Sequence, residues 1–268
     1  MGVLNITPDS FSDGGRYLDS EAAVARALEI EHDGADLLDI GGESTRPGAA
    51  PISAKEELRR ILAVIEGLRG KLRIPISVDT QKAEVAEAAI AGGAEILNDV
   101  SALRSEARLA DVARRARVPI ILMHMRGTPR TMQRGPFPLD VIADVMAGLR
   151  DAMERAKRAG LANSQILLDP GIGFGKKYEQ NFEILTRLPE FVRLGCPIVI
   201  GTSRKAFLGK AMAKPGEPAL PSDQRLLGTA ATVTASILGG AHIVRVHDVA
   251  EMVRVVRVAD EVVNAKKG

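Results

Sequence analysis

Short apolar runs rich in β-forming residues recur eight times along this chain, each followed by a loop and a stretch with helical spacing. No other feature limits its fold as strongly. The runs are Val3–Ile6, Leu37–Ile40, Ile74–Val78, Glu95–Leu97, Pro119–Met123, Ile166–Leu168, Pro197–Ile200 and Ile243–Val246. Each is too short for a helix and reads as a buried strand. Helical patterns occupy Ala22–Asp33, Ala54–Leu68, Lys82–Ile90, Ala107–Ala116, Val141–Ala159, Phe182–Leu194, Arg225–Leu238 and Ala250–Val263. Ser53 with Glu56 three residues on predicts a capping box, and Gly34, Gly92, Gly160, Gly195 and Gly239 are expected to cap helix C-termini. Such alternation fits either an open doubly wound sheet or a closed barrel. An open sheet normally has a glycine-rich nucleotide turn after its first strand, whereas here the first run leads into Thr7-Pro8-Asp9-Ser10-Phe11. The expectation is therefore an α/β chain, a (β/α)8 TIM barrel, with residues 1–268 forming one domain and Lys214–Ser222 a loop insertion in the seventh unit.

Several function classes are excluded at this stage. Net charge is +2, and Arg and Lys are spread along helices rather than clustered, so no nucleic-acid surface is expected. No apolar run approaches the ~18 residues of a membrane span. The first residues lack the basic-then-apolar layout of a signal peptide, so the expected location is the cytoplasm. Cys196 is the single cysteine, which rules out an internal disulfide, and its apolar neighbours predict a buried, inert thiol.

A barrel carries its chemistry at the C-terminal ends of its strands. The residues there are Asn5, Asp39, Asp79, Asn98, His124, Asp169, Ser203 with Lys205, and Arg245 with His247. Any one of them reads equally well as a helix cap, but polar groups at all eight strand ends point to a site. Asp79, Asn98 and Asp169 offer carboxylates and an amide suited to a heterocycle edge with adjacent N–H donors and a carbonyl. Lys205, Arg245 and His247 offer positive or donor groups suited to phosphate oxygens or a ring carbonyl. Together they suit a heterocycle carrying a phosphate.

Eight segments carry a family resemblance. Gly2–Gly15 (GVLNITPDSFSDGG), Gly41–Gly48 (GGESTRPG), Ser77–Thr80, Asn98–Val100, Met123–Met125, Asp169–Lys176 (DPGIGFGK), Ser203–Lys205 and Arg245–Asp248 resemble, in order, the motifs of the dihydropteroate synthases, a pterin-binding enzyme family. The likeness spans essentially the whole chain and is highly specific in combination. It implies condensation of 6-hydroxymethyl-7,8-dihydropterin diphosphate with p-aminobenzoate, giving 7,8-dihydropteroate and pyrophosphate in folate biosynthesis, by a homodimer. By the same resemblance, Asn5 helps hold Mg2+ with the diphosphate. Asp79, Asn98 and Asp169 grip the pterin beside Lys205, and Arg245 and His247 surround the diphosphate with Thr45 and Asn5. Phe11, Arg46, Pro47, Phe174 and Ser203 shape the p-aminobenzoate pocket, where sulfonamides compete. The catalytic set is Asp79, Asp169, Lys205, Arg245 and His247. In one departure, Met1 sits directly at the first strand, where family members carry a short hairpin closing the barrel floor. That difference bears on stability more than on chemistry.

The expected chemistry exchanges a C–O bond to diphosphate for a C–N bond to a weakly nucleophilic arylamine, so assisting the leaving group is the larger task. The loops Thr7–Tyr17 and Gly41–Pro51 are expected to close over the substrates and exclude water. Two other enzymatic readings stand beside this one: an aldolase-like barrel with Lys205 as a Schiff-base lysine, and a pterin methyltransferase serving a corrinoid protein. A non-catalytic pterin-binding protein is the third alternative. Gly171–Lys176 fails the P-loop pattern, because Pro170 stands at its first glycine and Lys177 at its Ser/Thr. His124 reads as core or pocket lining rather than a metal ligand, His32 and His242 as structural, and Glu43 as a loop-orienting carboxylate. Lys176 and Lys177 are expected to face solvent, and Thr128–Pro138 is a long basic loop with no assigned role.

Overall fold

The computed structural model describes residues 1–7, 16–45 and 48–265. The eight expected strands form as β1 Gly2–Asn5, β2 Leu38–Gly41, β3 Ile76–Asp79, β4 Ile96–Asp99, β5 Ile120–Met123, β6 Ile166–Asp169, β7 Val199–Ile200 and β8 Ile243–Val244. β1 to β6 lie side by side in chain order, all parallel, and β7 pairs with β8 in parallel. Parallel bridges Leu168–Ile198 and Gly2–Val246 join the two sheets at both edges. The ring closes through Leu168 N–H to Pro197 O at 2.9 Å and Val3 N–H to Val246 O at 3.0 Å. This is the expected (β/α)8 barrel.

The helices are α1 Arg16–His32, α2 Ala54–Leu68, α3 Ala83–Gly92, α4 Arg108–Ala116, α5 Val141–Arg158, α6 Tyr178–Thr186, α7 Leu188–Val192, α8 Ala206–Met212, α9 Leu226–Leu238 and α10 Val249–Ala265. Three differ from the sequence expectation, the first being α1, which begins at Arg16 rather than Ala22. The helix expected over Phe182–Leu194 is divided at Arg187, and Pro189, with no N–H to donate, sits in the first turn of α7. The short α8 was not expected. Ser53 does cap α2, accepting from Glu56 N–H at 3.2 Å, but the Glu56 carboxylate turns to Arg59 and Arg60 instead of completing the capping box. One cap position moves by one: Gly93, at φ +121°, caps α3 where Gly92 was expected, while Gly239 caps α9 as expected.

Strand alternation sorts the side chains. One set, including Leu4, Leu38, Ile40, Val78, Leu97, Ile120, Leu122, Ile166, Leu168, Ile198 and Ile200, packs outward into one large core with buried helix faces such as Ile61, Val64, Ile65 and Leu68 of α2. The other set fills the barrel interior. Met1, Ile121 and Val199 pack there with Leu37, Ile96, Leu167 and Ile243. This apolar layer is the floor on which the polar end of the barrel rests.

Candidate active site

The site residues follow from the same two-residue period. A step of two keeps a side chain on the inner face, so Leu37 leads to Asp39, Ser77 to Asp79, Ile96 to Asn98, Leu167 to Asp169, and Ile243 to Arg245. The chain thus places groups that are apolar except for Ser77 at the floor and, one step nearer the C-terminal end, carboxylates, an amide and a guanidinium.

Arg245 is the centre of this layer. Its Nε donates to Asp39 Oδ2 at 2.6 Å and its Nη2 to Asp79 Oδ2 at 3.2 Å. Asn98 Nδ2 donates to the same Asp39 oxygen at 3.1 Å. Three strand ends are therefore tied together through one fully buried carboxylate, and Arg245 brings in a fourth, that of Asp79. Burial opposes the Arg245 charge, but Asp39 and Asp79 outweigh it and hold the guanidinium pKa above its ordinary range. Asp79 is pushed up to about 8 by burial, with Asp39 adding repulsion and Arg245 opposing both. A protonated carboxyl here can accept and donate hydrogen bonds at neutral pH.

On the opposite side, Asp169 Oδ1 accepts the Gly171 N–H at 2.7 Å. Burial raises the Asp169 pKa, and Lys205, Lys176 and Arg245 partly offset that rise. Lys205 stands at the N-cap of α8, donates to Ile172 O, and lies 4.2 Å from the centre of the Phe174 ring. Burial brings Lys205 down to about 7, against the pull of Asp169. Gly171 is required here: at φ +71°, an added Cβ would lie 1.9 Å from His124 O.

Ser203 and Lys205 flank Arg204, a non-glycine residue in left-handed backbone at φ +59°. Two anchors hold it there: its N–H donates to Thr229 Oγ1 at 3.1 Å, and its guanidinium pairs with Asp248. Ser203 Oγ then accepts from His247 N–H at 3.1 Å and lies 3.0 Å from His247 Nδ1. The seventh and eighth loops are thereby locked together.

Asn5 is half-buried at the end of β1, and its Oδ1 and Asp79 Oδ2 both flank the Gly41 position, 3.6 and 3.8 Å from where a Cβ would stand. Thr45 is half-buried in the second loop. Phe11, Arg46 and Pro47 lie outside the described residues. The root of the second loop is built as Glu43 predicted: Glu43 Oε1 accepts from Ile52 N–H at 3.2 Å, and Lys82 pairs with Glu43 and the buried Glu57. The basic Thr128–Pro138 loop buttresses its neighbours, with Pro129 O accepting from Gly48 N–H at 3.1 Å and Gln133 Nε2 donating to Gly173 O at 3.3 Å.

Three residues are more important than the sequence suggested. Asp39, read only as one of several rim residues, links Arg245 and Asn98. Asp99 points away from the interior and accepts from Ser101 and Leu103 N–H at 2.8 and 2.5 Å, holding Ala102 and Leu103 in left-handed backbone beside Asn98. Lys176 does not face solvent: it is 4% exposed and fully hydrogen-bonded, to Pro170 on its own loop and to His124 at the end of β5, whereas Lys177 is exposed as expected. His242 takes a structural role, its Nδ1 accepting from Ile198 N–H at 3.1 Å. Cys196 is buried and free.

The family model of pterin binding enzymes matches residues 1–247. The chain is 47% identical to the dihydropteroate synthase of Synechocystis over 97% of its own length and 88% of the relative's. The chain belongs to the dihydropteroate synthase family. Two solved members of that family superpose closely. The Clostridium difficile dihydropteroate synthase, determined in the presence of pteroic acid, matches with a TM-score of 0.90 and 42% identity, over 98% of this chain and 95% of that one. The Xanthomonas albilineans dihydropteroate synthase, determined with 4-aminobenzoic acid, matches with a TM-score of 0.89 and 44% identity, over 98% and 92%.

Proposed function

We propose that this protein condenses 6-hydroxymethyl-7,8-dihydropterin diphosphate with p-aminobenzoate, releasing pyrophosphate and 7,8-dihydropteroate. The observation that carries this reading is the meeting of Asp79, Asn98, Asp169, Lys205 and Arg245 over an apolar floor, in a chain of this family. Asp79, Asn98 and Asp169 hold the N–H edge of the pterin, and Lys205 sits beside the ring against Phe174. Arg245 and His247, with Ser203 orienting the imidazole, face the diphosphate along with Asn5 and Thr45. The C–O bond to the diphosphate breaks and negative charge grows on the leaving oxygen, where Arg245 and His247 stabilise it. The exocyclic methylene is left electron-poor, and Asp169, together with Asp79 once it gives up its proton, favours that positive charge. The arylamine lone pair forms the C–N bond, and its proton then leaves to solvent.

Asn5 presents a hard amide oxygen next to Asp79 at the strand ends. Among the described residues no group of three or more His, Cys, Asp or Glu could hold a metal. A single amide oxygen, completed by diphosphate oxygens and water, fits Mg2+, a hard cation that keeps several waters and takes substrate phosphates as ligands. When bound, Mg2+ would neutralise diphosphate charge. Asn5→Ala should weaken Mg2+-dependent binding of the pterin diphosphate in calorimetry and leave unphosphorylated pterin binding unchanged.

Phe11, Arg46 and Pro47, with Phe174 and Ser203, are assigned to the p-aminobenzoate pocket, where sulfonamides compete. The first two loops are assigned the closing movement that keeps water away. Phe11→Ala or Arg46→Ala should raise the KM for p-aminobenzoate about tenfold or more, and unchanged kinetics would remove the lid role. The protein is assigned to the cytoplasm, with no nucleic-acid or membrane partner; among the described residues no helix is long and apolar enough to cross a membrane. A homodimer is proposed through the barrel exterior. Leu227, Leu238, Val258 and Val262 are exposed on α9 and α10, and Leu238 also lines an apolar depression of about 400 Å³ with Phe182, Leu185 and Pro189. Light scattering should return twice the chain mass. The function itself is tested by mixing protein, Mg2+ and both substrates: dihydropteroate and pyrophosphate should appear in equal amounts. Pterin binding without turnover would favour a binding protein instead.

A further inference from the structure

Outside the groups assigned to substrate, one buried cluster has no role in the chemistry above. Lys176 Nζ has three donors, and each has an acceptor: Pro170 O at 2.9 Å, His124 O at 3.0 Å and His124 Nδ1 at 2.9 Å. Two of these partners bracket Asp169. Pro170 follows it directly in the chain, and His124 donates its own N–H to Asp169 O at 2.8 Å. Lys176 therefore clamps the end of β5 to the turn that carries Asp169.

Space has been made for this cluster. Gly148 lies within α5, where a helix gains nothing from glycine, and a Cβ there would stand 2.4 Å from His124 Cδ2. Gly171 is equally constrained, since a Cβ would meet His124 O and come within 3.1 Å of Lys176 Nζ. Burial, reinforced by Lys176, drives His124 down to about 2, so the imidazole is neutral, and in the tautomer protonated at Nε2 its Nδ1 accepts a hydrogen bond from Lys176. Beyond it, His124 Nε2 lies 3.6 Å from Asp144 Oδ2, too far for a direct hydrogen bond. Burial lowers Lys176 to about 7, with Asp169 and Asp144 holding it up and Lys205 and Arg104 pressing it down.

We infer that Lys176 is a positioning residue for pterin binding, acting through Asp169: it fixes the turn that aims the carboxylate. The inference rests on the assignment of Asp169 to the pterin. A residue that merely stabilised the barrel would weaken every variant alike, whereas one acting through Asp169 has nothing to act on once that carboxylate is gone.

The test is a double-mutant cycle read by calorimetric titration of 6-hydroxymethyl-7,8-dihydropterin diphosphate into the full-length protein. Lys176→Met should raise the Kd about tenfold in the parent and less than twofold in an Asp169→Asn background, with the KM for p-aminobenzoate in the parent background unchanged. Equal losses in both backgrounds, or no loss in either, would overturn the inference. Lys176→Gln, which keeps two donors for the carbonyls, serves if the methionine variant does not fold, and the same pattern is expected of it. The parent protein separates the two readings. If it makes no dihydropteroate, the functional assignment fails; if it turns over and the cycle is additive, the role of Lys176 alone fails.

Discussion

At the scale of single residues, Asp79 shows how the site trades stability for binding. Burial raises its pKa to about 8, well above the value in an unfolded chain. A carboxyl shifted in this direction contributes most to stability below pH ~4, and that contribution is lost as pH rises through about 8. Asp79→Asn, neutral at every pH, should therefore gain on the parent steadily from pH 5 to pH 8 in thermal melts, while its pterin affinity falls. A margin that did not change with pH would show that Asp79 is ionised in the empty site. Asp39 works differently, as the shared partner of Arg245 and Asn98. Asp39→Ala removes one of two carboxylates from a buried guanidinium and should cost about 3 kcal/mol in urea unfolding. Residues such as Asp79, Asn98, Asp169 and Arg245 were legible in the sequence because each lies at or next to the C-terminal end of a recognisable strand. Lys176 was not, because its meaning depends on His124, which reaches it across two loops. Asp99 was legible as part of a motif but not in its task, since only the backbone shows that it faces away from its neighbour Asn98.

At the scale of elements, the loops after β5, β6 and β7 are fixed by contacts with one another. Gly171 is the tightest of these points. Gly171→Ala places a Cβ where His124 O already stands and asks alanine to hold φ +71°. This variant should melt several degrees below the parent and lose pterin binding together with stability; a fully stable, fully active protein would mean that the β5 and β6 loops can separate. Secondary structure was largely readable, because period-2 and period-3.6 patterns are local. The division of Phe182–Leu194 at Arg187 was missed although Pro189 announced it: the apolar spacing runs on through the break, and proline is compatible with a helix only near its start. The short α8 was missed because seven residues hold too few turns to show a period.

At the scale of the whole molecule, the barrel was legible because eight strand–helix units suit a closed ring and the first strand lacks the glycine-rich turn of an open doubly wound sheet. The short β7 and β8 need the closed ring: two residues each would make a marginal sheet alone, and bridges to β6 and β1 incorporate them. Closure also forms the site, since Arg245 meets Asp39 and Asp79 only when the last strand lies beside the first. The central claim is that this closed mouth is where a pterin is held. A crystal structure of the protein with 7,8-dihydropteroate tests it most directly. The account predicts the pterin ring inside the barrel mouth, its N–H donors on Asp79 and Asp169, with Lys205 alongside and the aminobenzoate facing Ser203. A ring bound elsewhere, with those carboxylates still facing water, would contradict it.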